Sequence, residues 1–147
     1  MRLTLYKHIQ QEADKSRLFL ESDTLTLFVW FLSDNTLDSF QWVMDNRFMI
    51  NFHIDSGVTD YRSVLNFKVE SGFSACQIDY KSGGIAPQRL LDKAAQTRIK
   101  EAVDMTVSED FPVLLEKIRL AVSGNTVSHW RLSADEEKLL VSLKSTV

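Results

Sequence analysis

The chain has 147 residues, 44% of them hydrophobic and 25% charged, with five Gly, two Pro and a single Cys. This excludes collagen-like and extensively disordered chains, and the length suffices for one domain with its own core. The formal charge is −3 and the Lys and Arg residues are scattered, so no global field draws nucleic acid or an acidic membrane.

Cys76 stands alone, which rules out an intrachain disulfide or a thiolate cluster and predicts a small buried apolar residue. Charges in MRLTLYKHIQQEADKSR interrupt the apolar region that a signal peptide needs. The longest apolar run, LTLFVWFL over 25–32, falls well short of the ~20 residues of a membrane-spanning helix. The expectation is a soluble, cytoplasmic protein.

In chain order, Leu3, Leu5 and Ile9 alternate with polar residues and predict a first strand. QQEADKSR reads as a connection with a helical turn, and Leu18-Phe19-Leu20 as a short strand. LTLFVWFL is apolar at both parities and bounded by turn residues, the pattern of a central strand covered on both faces. Phe40, Trp42 and Met44 then alternate up to Asp45-Asn46-Arg47, and the same parity resumes at Phe48, Ile50, Phe52 and Ile54. A three-residue loop sets Met44 against Phe48, Trp42 against Ile50 and Phe40 against Phe52. A two-residue loop would throw Phe48 and Ile50 to the opposite face, so burial selects the longer one.

After the turn signal Asp55-Ser56-Gly57, two more strands are expected over 64–70 and 73–80. They place Leu65, Phe67 and Val69 on one face, and group Cys76, Ile78 and Tyr80. Short connections make such neighbours antiparallel. From Gly83-Gly84 onward the period becomes helical. Leu91, Ala94, Ala95, Ile99, Ala102 and Val103 predict a helix over 88–105. A second helix follows Ser108-Glu109-Asp110, with Pro112 in its first turn, Leu114, Leu115, Ile118 and Val122 inward, and a stop at Gly124. A third begins at Ser133-Ala134-Asp135-Glu136, which has the form of a capping box, with Leu139, Leu140 and Leu143 as its stripe.

Strands followed by helices make an α+β fold: an antiparallel, curled sheet of about five to six strands, then two to three helices packing on it. A single domain over 1–147 is expected, strand-rich over 1–82 and helical over 87–145. Because LTLFVWFL is apolar on both sides, a second copy of the chain is one way to cover the outer face.

No Walker loop, dinucleotide fingerprint, HExxH or GxSxG occurs, and Gly83-Gly84 lacks the ending of a phosphate loop. The candidate catalytic residues are His53, Asp55 and Asp60, with Asn51 and Tyr61 nearby. Strand parity sets Asn51, His53 and Asp55 on one face, where an imidazole and a carboxylate could act as an acid–base pair. A catalytic metal needs about three protein ligands, and His8 and His129 lie in unrelated segments, so neither metal nor cofactor is expected. Trp30, Phe31, Phe40, Trp42, Phe48 and Phe52 could stack bases, but their neighbours Asp34, Asp38, Asp45 and Asp55 are acidic, which favours core packing.

The functional expectation is a non-enzymatic protein-binding module of adaptor, chaperone or immunity type. Its partner would be another protein or a second copy, and neither nucleic acid nor membrane. The competing expectation is a small ligand-binding protein or hydrolase-like enzyme, with a pocket between sheet and helices near His53 and Asp55.

Overall fold

The computed structural model describes residues 2–5, 9–12, 14–45, 47–64, 69–70, 73–74 and 88–145. Its centre is an open antiparallel meander of five strands: β3 (Lys15–Glu21), β4 (Leu25–Phe31), β5 (Leu37–Met44), β6 (Phe48–His53) and β7 (Val58–Val64). On the outer edge of β3 lie β1 (Arg2–Leu5) and β2 (Gln10–Glu12), both antiparallel to it. A short pair, β8 (Val69–Glu70) with β9 (Phe73–Ser74), stands apart from the large sheet. At the far edge, β10 (Gln88–Leu90) pairs with β7. The opposite edge ends on β11 (Val107–Ser108), which runs parallel to β1 through Arg2↔Val107 and Leu3↔Ser108. About a hundred residues separate that pair, so the crossover that parallel pairing requires is present. Three helices complete the chain: α1 (Lys93–Met105), α2 (Pro112–Val122) and α3 (Ala134–Ser145).

The β5–β6 hairpin has the register that burial selects. Met44 pairs with Phe48, Trp42 with Ile50 and Phe40 with Phe52 across the loop 45–47. The Phe40 and Phe52 rings stack with centroids 5.2 Å apart, and Trp130 closes on Phe52 at 5.6 Å. With Leu18, Leu20, Leu27, Val29 and Phe31, these residues form the inner face of the sheet. That face meets Ile99 and Val103 of α1, Leu114, Leu115 and Ile118 of α2, and Leu140 of α3 in one buried cluster. Fully burying each such side chain is worth roughly 1.5–3 kcal/mol.

LTLFVWFL is covered on both sides. Leu27 and Val29 face the helices, while Phe28 joins Phe19, Val43 and Met49 in a second cluster on the outer face. Phe28 is 0% exposed within the single chain, so its burial requires no second copy.

Several expectations change. QQEADKSR is a hairpin, β2 to β3, because Gln10–Glu12 pairs with Lys15–Arg17 instead of coiling. VTDYRSV forms β7 although it lacks an apolar alternation; backbone pairing with β6 along its whole length organises it. The helix expected over 88–105 starts at Lys93. Gln88–Leu90 is drawn into the edge of the sheet opposite Arg62–Val64, and Asp92 then caps α1 by accepting the Ala95 N–H at 2.8 Å. Of the strands expected over 64–70 and 73–80, Val64 ends β7, and the other described residues, Val69–Glu70 and Phe73–Ser74, form the β8–β9 pair. Leu65, Phe67, Cys76, Ile78, Tyr80, Gly83-Gly84 and Pro87 lie outside the described residues.

The second helix ends as its glycine predicts. Gly124 has φ +80°, its N–H donates to Ala121 O (3.1 Å), and the Asn125 N–H donates to Leu120 O (2.8 Å), the paired bonds of a Schellman cap. The capping box at the third helix forms and extends further. Glu136 Oε1 accepts from the Ser133 N–H (3.1 Å) and hydroxyl (2.7 Å), and the Ser133 hydroxyl accepts from the Glu136 N–H (3.3 Å). The other oxygen, Oε2, accepts the Leu114 N–H at the start of α2 (3.0 Å), a helix whose own cap position, Phe111, offers no side-chain acceptor. One buried carboxylate therefore caps two helices.

Candidate functional site

Parity in β5, β6 and β7 decides where the candidate residues point. Phe52 faces the helices, so Asn51 and His53 face outward, away from the sheet–helix interior. Asn51 pairs with Gln41 on one side and Asp60 on the other. Its Oδ1 accepts from Gln41 Nε2 at 3.0 Å, while Asp60 is held by its strand neighbour Arg62, whose Nε lies 3.0 Å and 3.1 Å from the two carboxylate oxygens. The outer face thus carries a strip of Gln41, Asn51, Asp60 and Arg62, an array of amide, carboxylate and guanidinium suited to hydrogen bonding.

His53 is exposed at the end of β6. Its carbonyl accepts from the Gly57 N–H (3.0 Å) and the Ser56 hydroxyl (3.1 Å), which closes the 54–57 turn. Asp55 sits in that turn, beyond the strand, where alternation no longer applies. Its charge is felt by Lys15. The Lys15 ammonium bonds Asp38 Oδ2 at 3.0 Å, and that bond, with lesser help from Asp14 and Asp55, holds its pKa above the usual lysine value. Asp38 itself is placed by a bulge: Trp30 pairs with Ser39 and Phe31 with Leu37, leaving Asp38 as the extra residue. So Asp60 belongs with Arg62, while Asp55 lies in the turn whose Ile54 N–H donates to Asp38 O at 3.0 Å.

Tyr61 pairs with Ile50 and points to the helix side. Burial raises its phenol pKa, Lys100 Nζ sits 5.6 Å from the ring centroid, and its hydroxyl is buried without a hydrogen-bond partner. Trp42, on β5 across Ile50, also buries its Nε1–H without an acceptor.

Other polar groups support the helices. Lys117 is only 8% exposed; its Nζ donates to His129 O at 2.8 Å and lies 3.4 Å from Nδ1 of the same residue. Arg119 bridges Glu116 (3.0 Å) and Thr106 O (2.7 Å), tying α2 to the end of α1. At the end of the sheet that holds the β3–β4 and β5–β6 turns, a polar depression of about 360 Å³ is lined by Glu21, Asp23, Asp45 and their neighbours. Among the described residues, no group of three or more His, Cys, Asp or Glu side chains could hold a metal ion, and no helix is long and apolar enough to cross a membrane.

Gln41 was legible in advance, since the register that pairs Phe40 with Phe52 also pairs Gln41 with Asn51. Lys117 carried a signal too, as a charged residue inside the apolar stripe of α2. The Lys15–Asp38 pair had none, because a bulge creates it. Comparison of the chain with protein-family models, with curated proteins and with solved structures gives no match.

Proposed function

We propose that this chain is a non-enzymatic protein-binding module of adaptor, chaperone or immunity character, working in the cytoplasm. The observation that carries this reading is a group of outward apolar side chains where α1, β11 and α2 meet: Met105 is 71% exposed, Val107 47% and Val113 37%. Single exposed aliphatics are ordinary, but Met105 and Val107 stand two residues apart beside the last strand of the sheet, with Val113 following in α2, the kind of surface a partner covers. The polar residues add support, because many are engaged in holding the fold: Asp60 by Arg62, Asn51 by Gln41, and Glu136 by two helix ends. The lone cysteine fits a reducing compartment, and the charge of −3 argues for a protein partner over nucleic acid.

The partner is a different protein in preference to a second copy, since Phe28 is already buried within one chain. The test is purification of the tagged full-length chain from its source cells, identification of a co-eluting protein, and reconstitution from the two purified components. A saturable complex of fixed stoichiometry is expected. A chain that elutes alone and monomeric throughout would overturn the reading.

A small-molecule ligand is the second reading, favoured by the two buried donors Trp42 Nε1–H and Tyr61 O–H on the helix side of the sheet. It calls for a compact ligand with acceptor oxygens. A thermal shift that saturates with such a compound, and that Tyr61→Phe weakens, would support it, because a ligand binding only the native state raises stability by RT ln(1 + [L]/Kd).

A further inference from the structure

The methionines that the structure describes fall into two environments. Met44 is 6% exposed and Met49 1%, each packed in one of the two apolar clusters of the sheet. Met105, the last residue of α1, is 71% exposed. The backbone beside it is fixed at Thr106, which is fully buried. The Thr106 N–H donates to Val103 O (3.2 Å), its hydroxyl donates to Ala102 O, and its carbonyl accepts from Arg119 at 2.7 Å. A thioether is therefore held open to water on a firm corner, in the same outward group as Val107 and Val113. Of the three side chains it alone has redox chemistry, since its sulfur is nucleophilic and the valines are inert.

We propose that Met105 is a reversible oxidation site that switches this apolar surface. In the forward step the sulfur lone pair attacks one oxygen of a peroxide. An S–O bond forms, the O–O bond breaks, and the departing hydroxide takes the proton left on the transferred oxygen and leaves as water. Sulfur loses two electrons and the peroxide gains them. The sulfoxide is polar where the thioether was apolar, so it breaks up the surface shared with Val107 and Val113. In the reverse step two thiols of a sulfoxide reductase restore the thioether, becoming a disulfide and releasing water, and the exposure of Met105 gives such an enzyme its access. Burial shields Met44 and Met49 from the same oxidant. The inference rests on the binding-module reading, because the surface that oxidation alters is the one that reading gives to a partner.

The experiment treats the full chain with limiting hydrogen peroxide and locates the added oxygen by peptide mass spectrometry. Met105 is expected to oxidise about tenfold or more faster than Met44 and Met49. The chain oxidised at Met105 alone should keep its urea midpoint and elute earlier from a hydrophobic-interaction column. Treatment with the two epimer-specific sulfoxide reductases and dithiothreitol should restore its retention. Met105→Leu keeps the apolar surface without the sulfur, so its retention should not change with peroxide. A partner isolated as above should bind the oxidised chain about tenfold more weakly, and Met105→Leu equally well before and after peroxide. Core methionines that oxidise as fast as Met105, retention indifferent to its oxidation, or a sulfoxide that the reductases leave in place would overturn the proposal. A partner that binds both redox states equally would overturn the switch while leaving the binding-module reading intact. Absence of any partner would sink that reading and the switch with it.

Discussion

Glu136 shows how much one side chain can hold. Its carboxylate is 2% exposed and accepts the Leu114 N–H, the Ser133 N–H and the Ser133 hydroxyl, at the positive ends of α2 and α3 together. Glu136→Ala leaves those donors buried and unmet, so a loss of about 2–4 kcal/mol is expected in urea unfolding, above the ~1 kcal/mol typical of a single cap. Glu136→Gln should lose less, keeping one acceptor oxygen. Asp34 acts in a turn: its Oδ1 accepts from the Thr36 hydroxyl (2.6 Å) and N–H (3.1 Å), and those bonds hold its carboxyl below the usual carboxylate range. A depressed folded pKa means the stabilisation is present above the ordinary value and is lost as pH falls through the folded one. Thr36→Val removes the larger cause, so the Asp34 carboxyl should titrate closer to the ordinary range by NMR and contribute less to acid-dependent stability. His53→Ala should change stability by no more than about 0.5 kcal/mol, since the side chain is exposed and the turn uses only its carbonyl.

Among the elements, the register of the β5–β6 hairpin was legible, because its apolar residues at one parity allow a single loop length. The C-terminal cap of α2 and the N-terminal cap of α3 were legible for a similar reason: Gly124, Ser133 and Glu136 act there within a few residues of themselves. The β7 strand was not, because Thr59, Asp60, Arg62 and Ser63 carry no apolar alternation, and only pairing with β6 makes the segment extended. The start of α1 was misplaced for the same kind of reason. Helical periodicity covers Leu91 onward, but the sheet edge claims Gln88–Leu90 and leaves Asp92 as the cap. Asp92→Ala should therefore destabilise by about 1 kcal/mol in chemical denaturation, whereas a helix running from 88 would be nearly indifferent to it. In the β6–β7 turn, Gly57 has φ +65° and nothing crowds the place a side chain would take, so backbone strain alone opposes substitution. Gly57→Ala should cost about 1–2 kcal/mol.

At the scale of the molecule, the two faces of the sheet do different work. The inner face meets the helices in one continuous core, and the outer face divides into the apolar cluster around Phe28 and the polar strip of Gln41, Asn51, Asp60 and Arg62. Because Phe28 is interior to a single chain, Phe28→Ala should cost about 3–5 kcal/mol in unfolding and leave the sedimenting mass unchanged. A loss below about 1 kcal/mol would mean that this face is open and available to a partner. By itself the sequence determined the α+β class, the pairing of Phe40, Trp42 and Met44 across their hairpin, the two-sided burial of LTLFVWFL and the caps at Gly124 and Ser133. Each of these follows from side-chain periodicity or from hydrogen bonds between near neighbours. Only the tertiary structure decided that 58–64 is a strand, which sets Asp60 beside Arg62, and that Lys15 meets Asp38 at the bulge in β5. The same holds for Glu136 bridging two helices and for Met105 and Val107 sharing one edge of the sheet. Those arrangements depend on bulges, on edge pairing and on contacts between residues distant in the chain, where local pattern has no reach.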